Sequence, residues 1–259
     1  MNCDYILPNF FESFSCNQVL MQEFLMTKSL YGVSGAFSFS VFNGGYNNNA
    51  ATELVVYDDI VKVQKSYGPL NSFMLIDCSN IKLLQTDYND CFNKIMFETM
   101  IDNPNMYFSI ADLGLATYLI KTYPSIQLVL DTNYTLFHTE KEIQNAIQEI
   151  GNNLKYIIIS KNNLCTKINF NKIYKVFFTN CSICPQYKRC IERENDSVLE
   201  YSGISPLNSC TINTINPVDE LSYEVKNALK HTNLVMFSSI DKNHEQECYT
   251  ILEQVIKEN

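Results

Sequence analysis

Three cysteines fall within one short stretch, "TNCSICPQYKRC", at Cys181, Cys184 and Cys190, and a fourth follows at Cys210. The C-x2-C-x5-C spacing lets two thiolates reach one metal centre from a single tight turn, which Pro185 stiffens. Four thiolates suit a closed tetrahedral zinc site or an iron–sulfur cluster, and the spacing alone prefers neither. A thioredoxin-like redox pair is the competing chemistry of a C-x-x-C. Such a pair usually opens a helix just after a first strand, whereas this one follows roughly the sixth.

His138, His231 and His244 show no ligand spacing, which disfavours a mixed Cys/His zinc site and a metallohydrolase. The remaining cysteines read as small core hydrophobes. Cys91 and Cys248 sit inside amphipathic helical stretches, and Cys3 and Cys16 precede the first strand of the pattern. Cys78 follows a strand, and Cys165 is placed to stand in for one of the four ligands.

Composition sets the context for those thiols. The chain has 259 residues, 46% of them hydrophobic and 18% charged, which is a globular balance and enough for one large domain over residues 1–259. Nineteen basic residues against 28 acidic ones give a formal charge of −9. That disfavours a general nucleic-acid binder, since "YKR" at 187–189 is the only dense basic patch. The start, "MNCDYILPNFFESF", lacks the basic and then apolar order of a secretory signal, and no run approaches the ~18 apolar residues of a membrane span. A cytoplasmic location is therefore expected, and in a reducing compartment cysteines serve as ligands or core more often than as disulfides.

Positioning these groups falls to an alternation of short apolar strands with amphipathic helices. Strands are predicted at 35–42, 72–77, 106–110, 126–131, 155–160, 173–179 and 233–239. Helices are predicted at 53–68, 87–102, 112–124, 139–151 and 219–231, with a last one closing the chain from His244. The sixth strand delivers the chain directly to the cysteines, which lie in a loop-rich insertion at 180–216. Seven strands alternating with helices argue for βαβ units and a parallel sheet. Neither a Gly-rich dinucleotide fingerprint nor a P-loop follows any strand. A TIM-like (β/α) barrel is the expected fold, short or distorted by one unit, although an open doubly wound sheet makes the same string.

In such a barrel the active site lies at the C-terminal ends of the strands. Those ends bring Asn43, Asp77, Asp112 and Asp131 to one mouth as candidates for orienting a substrate and handling protons. Asp112 is equally placed to cap the following helix. No HExxH, nucleophile elbow or Ser/His/Asp set is present, and the C-x3-C-x2-C of a radical S-adenosylmethionine enzyme is missing after the first strand.

The stretch "IADLGLATYLIKTYPSIQLVLDTNYTLFHTEKEI" at 110–143, followed by "YKVFFTNCSICPQYKRC" at 174–190, resembles the collagenase-like peptidase family (family U, number thirty-two) in content and order. "VFNGGYNNN" at 41–49 is similar to the turn after the first barrel strand in relatives, with Tyr46 where those usually carry Arg. The resemblance spans roughly residues 30–215. It implies a TIM-like barrel holding a [4Fe–4S] cluster on Cys181, Cys184, Cys190 and Cys210. It also implies oxygen-independent hydroxylation, or another redox modification, of a small molecule, a peptide or an RNA base, with a sister iron–sulfur protein as heterodimer partner. The cysteine-rich C-terminal pattern of the RNA-modifying members is missing here. The alternative expectation is a non-enzymatic binding protein in which the four cysteines hold a structural zinc.

Overall fold

Runs such as "DYIL", "MYFSI" and "LKYIII" are rich in β-branched and aromatic residues and too short for stable helices, and they form strands. The computed structural model describes residues 3–8, 30–36, 70–75, 100–132, 137, 139–159, 168, 170, 172–179, 216–237 and 244–259. Eight strands are present: β1 (Asp4–Leu7), β2 (Leu30–Ala36), β3 (Asn71–Leu75), β4 (Met106–Ile110), β5 (Leu128–Asp131), β6 (Leu154–Ile159), β7 (Tyr174–Phe178) and β8 (Leu234–Met236). Each pairs in parallel with the next, and β8 returns to pair with β1, so the sheet closes as a TIM-like barrel.

The barrel is complete, which corrects the count of seven strands. The strand missing from the sequence pattern is β1. The strand expected at 35–42 begins earlier, at Leu30, and residues 37–42 of it lie outside the described residues. Cys16 consequently follows β1 along the chain and does not precede the barrel. Closure rests on Asp4↔Leu234, Tyr5↔Val235 and Ile6↔Met236 pairing, extended by the Phe237 amide donating to the Ile6 carbonyl at 3.3 Å. On the outside of this seam the rings of Tyr5 and Phe237 stack, 5.7 Å apart and 8° from parallel.

The described helices α1 (Leu113–Thr122), α2 (Glu140–Ile150), α3 (Pro217–Ala228) and α4 (Glu245–Glu258) follow the expected spans within a few residues. Their starts are written locally. Thr139 opens α2 with a capping box, its hydroxyl accepting from the Glu142 amide at 3.3 Å while the Glu142 carboxylate accepts from the Thr139 amide at 3.4 Å. Asn216 caps α3 and Pro217 occupies its first turn. Gly151 ends α2 at a φ of 63°, a left-handed conformation that costs glycine little. Among the described residues, no helix is long and apolar enough to cross a membrane.

Strand alternation divides the core in two. Outward residues such as Leu7, Val33, Met74, Phe108, Leu130, Ile157, Phe177 and Val235 pack under the helices, against Leu115 and Leu119 of α1, Ile143 of α2, Val225 of α3 and Leu252 of α4. Each such side chain, fully buried, stabilises the fold by roughly 1.5–3 kcal/mol. Cys248 is buried on α4, as the helical spacing implies, and Cys3 is buried just ahead of β1.

Inward residues fill the barrel. Because strands of such a barrel are staggered around its girth, tiers draw side chains from alternate strands. The lowest tier holds Tyr107, Tyr156 and Leu234 beside Gly32, where an added Cβ would collide with the Asn71 carbonyl oxygen. The middle tier is Ile6, Phe73, Val129 and Val176. The upper tier is Ser34, Ser109, Ile158 and Met236. Asp131 of β5 and Phe178 of β7 stand above it, at the C-terminal mouth.

Candidate functional site

Asp131 ends β5, pairs with Ile158 across the β5–β6 ladder and so shares its inward direction. Only 5% of its surface is exposed. The next residue fixes the strand end: the Thr132 hydroxyl donates to the Ile158 carbonyl at 2.6 Å and the Thr132 amide donates to the same oxygen at 3.4 Å. The backbone that carries Asp131 is thereby tied to β6 on both sides of the strand end, by the ladder and by Thr132.

Two further polar groups share the mouth, and sequence reasoning missed both. Ser34 and Ser109 are buried on the inward faces of β2 and β4. The Ser34 hydroxyl donates to the Leu7 carbonyl of β1 at 3.1 Å. The signal was available for Ser109, since alternation in "MYFSI" puts Tyr107 and Ser109 on one face, opposite the buried Phe108 and Ile110. It is hidden for Ser34, because the glycines of "LYGVSGA" obscure where β2 begins.

Asp112 has a different occupation. Its Oδ1 accepts from the Leu115 amide at 2.6 Å and its carbonyl accepts from the Ala116 amide at 3.0 Å, which makes it the N-cap of α1. One carboxylate oxygen is thereby committed to the helix. Asn43 and Asp77 lie outside the described residues, as do Cys181, Cys184, Cys190, Cys210 and Cys165. Among the described residues no group of three or more His, Cys, Asp or Glu side chains is placed to hold a metal ion.

The strand that leads to the cysteines is described to its end. β7 stops at Phe178, and the buried Thr179 continues its pairing with β8 by donating its amide to the Met236 carbonyl at 3.0 Å. Position 179 is therefore part of the rigid rim of the mouth.

At the opposite end the barrel is plugged by aromatic rings. Tyr156 lies 5.1 Å from Phe73, 4.9 Å from Tyr107 and 5.7 Å from Tyr174, ring centre to ring centre. Its hydroxyl meets that of Tyr31 at 2.6 Å. Burial, and then the hydrogen bond with Tyr31, push the Tyr156 phenol far above its ordinary range, and burial raises Tyr107 as well. These phenols stay protonated and hydrogen-bonded, which suits a floor and not an acid–base site. The barrel interior is thus closed by side chains at its N-terminal end.

Comparison of the chain with protein families, with curated proteins and with solved structures finds no match.

Proposed function

We propose that the chain is an iron–sulfur-dependent redox enzyme whose reaction takes place at the C-terminal mouth of the barrel, on a small molecule or peptide in the cytoplasm. The observation that carries this reading is the end of β7. Thr179 is buried and hydrogen-bonded at the rim, and Cys181 comes two residues later, no more than about 7 Å of extended chain. The four-cysteine set thus begins within reach of the strand ends where barrel enzymes carry their chemistry.

The donor set fits the group. Cys181, Cys184, Cys190 and Cys210 would hold the cluster, since four soft thiolates are what a [4Fe–4S] centre takes. When bound, such a centre supplies single electrons. The chain's own residues supply the rest: Asp131 holds or moves a proton at its carboxylate, Ser34 and Ser109 offer hydroxyls on the inward faces of β2 and β4, and the apolar middle tier keeps water out from below. Single-electron chemistry calls for a donor, and a sister iron–sulfur chain is the partner that the sequence resemblance implies.

The test is anaerobic purification with iron, sulfide and zinc quantified beside the visible spectrum, for the native chain and for Cys184→Ser. About four irons per chain, with absorption at about 400 nm that the variant loses, is the expected result. Colourless protein with one zinc would replace this reading with a structural zinc site, and metal-free protein would remove both.

A further inference from the structure

We infer that the N-terminal face of the barrel around Tyr174 is a docking surface for an acidic segment of a protein partner. The face lies at the end opposite the mouth, so it does not depend on what reaction takes place there.

The first support is the distribution of charge. Residues 150–191 hold seven of the chain's 19 basic residues and no Asp or Glu, so the other 12 share the rest of the chain with all 28 acidic residues. Apart from "YKR" these basic residues are scattered along the sequence, and the fold gathers several of them. Lys155 lies at the start of β6, and Lys172 and Lys175 flank Tyr174 at the start of β7. The pairing of Tyr156 with Tyr174 sets those two strand starts side by side. Lys230 joins them from the turn before β8, which the Thr232 hydroxyl ties to β7 by donating to the Lys175 carbonyl at 2.7 Å.

Two of these ammonium groups are held by neutral oxygens. Lys155 Nζ donates to the Asn152 carbonyl at 2.9 Å and Lys230 Nζ to the Asn227 side-chain oxygen at 2.8 Å, bonds that fix the charges without cancelling them. The backbone at Lys172 is left-handed, at a φ of 67°, a conformation that glycine or asparagine adopts more readily, so the backbone does not explain the lysine. Asp4, whose amide donates to the Asn233 carbonyl at 2.8 Å, marks the edge of the patch toward β1.

The second support is Tyr174 itself. It is 68% exposed, more than Tyr118 or Tyr223, the other exposed large hydrophobic residues among those described. Its ring is braced from within by Tyr156, 5.7 Å away, so it is ordered although most of the residue meets solvent. A braced aromatic ring among cations has the make-up of an interface anchor, with an apolar group of the partner covering the ring and carboxylates meeting the lysines.

A single-stranded nucleic acid also brings negative charge, and its bases stack on tyrosine. It is a uniform polyanion, however, and beyond a patch a few residues wide it would run onto a surface that carries the whole acidic excess of the chain. An acidic protein segment confines its charge to the patch, and the observations favour it.

The test uses the full chain and a short fluorescein-labelled peptide of glutamates around one leucine, followed by fluorescence anisotropy at low and high salt. Saturable binding that weakens with salt is expected, with none to the same peptide built from glutamines. Lys172→Glu and Lys230→Glu should each weaken binding by about threefold, and together by about tenfold. Tyr174→Ser should weaken the leucine-bearing peptide and leave an all-glutamate peptide nearly unchanged. Lys141→Glu, an equal change of net charge in the exposed first turn of α2 at the other end of the barrel, should shift affinity by less than about twofold. No binding, equal binding of the glutamine peptide, or equal losses in Lys141→Glu and Lys172→Glu would overturn the inference. Tighter binding of oligouridylate than of the glutamate peptide would overturn it in favour of a nucleic-acid surface. Salt-sensitive self-association in sedimentation velocity that Lys172→Glu abolishes would overturn it in favour of a second copy of this chain.

Discussion

The hydroxyls of Tyr31 and Tyr156 meet at 2.6 Å although 125 residues separate them in the chain. The contact ties the start of β2 to the centre of β6 across the lower barrel. Gly32, the next residue after Tyr31, lets the Asn71 backbone come close to β2, since an added Cβ would meet the Asn71 carbonyl oxygen.

Breaking that pair from one side should cost more than removing it. Tyr156→Phe leaves the part-buried Tyr31 hydroxyl without its partner, at a cost of about 1–3 kcal/mol. Tyr31→Phe should cost a similar amount or less, because Tyr31 is only partly buried. The double variant should be less destabilised than the sum of the two. Urea unfolding of the four proteins gives the coupling energy, and simple additivity would show that the bond contributes nothing.

Alkaline pH should weaken the fold through the same kind of group. Burial pushes the Cys3 thiol up to about 11, from an ordinary value of 9.0, and raises Tyr5 and Tyr156 beyond that. The unfolded chain loses these protons first, so above pH 9 it binds fewer protons than the native one and stability falls as pH rises. For Cys3 the loss spans the window from about 9 to about 11, and within it each such group costs up to about 1.4 kcal/mol per pH unit. Unfolding free energies at pH 8, 9 and 10 should therefore decline with increasing slope. A flat profile would mean that these groups titrate normally in the folded state.

The parts of the fold legible in the sequence are those whose local chemistry and tertiary role agree. α2 carries a capping box and a single apolar face, and β4 and β6 are largely apolar runs, each with one polar residue, so their positions are readable within a residue or two. β1 and β2 were not. "DYIL" is four residues, apolar on both faces, next to the aromatic stretch "NFFESF", and no alternation marks it. "LYGVSGA" has two glycines and a serine, residue types that weaken a strand pattern, and the expected strand begins only at 35. Inside the barrel they are what the packing demands, Gly32 for the close approach of Asn71 and Ser34 for the upper tier. The site was half legible for the same reason. Asp131 was found because polar residues after an apolar run are conspicuous, while a serine within a strand looks like a weak strand residue.

Asp112 offers a clean separation of cap from catalyst. Because its carboxylate accepts from the Leu115 amide, Asp112→Ala should destabilise the protein by about 1 kcal/mol. Asp112→Asn should unfold within a few tenths of a kcal/mol of the native chain, since asparagine caps as well as aspartate. Thermal unfolding of both variants checks this. An Asn variant as unstable as the Ala variant would show that the negative charge, and not the cap bond, is what α1 requires.

Thr132 tests what a single hydroxyl contributes where β5 ends against β6. Its hydroxyl bond to the Ile158 carbonyl is short, at 2.6 Å, and buried, and the backbone amide alone reaches that oxygen at only 3.4 Å. Thr132→Val keeps the shape and removes the donor, so the carbonyl retains only its weaker contact. A loss of about 1–2 kcal/mol is expected. Thr132→Ser keeps the donor and loses a methyl group, and should retain more of the stability. Urea unfolding of the native chain and both variants checks this order. Equal stability in all three proteins would show that the hydroxyl bond adds nothing to the β5–β6 pairing.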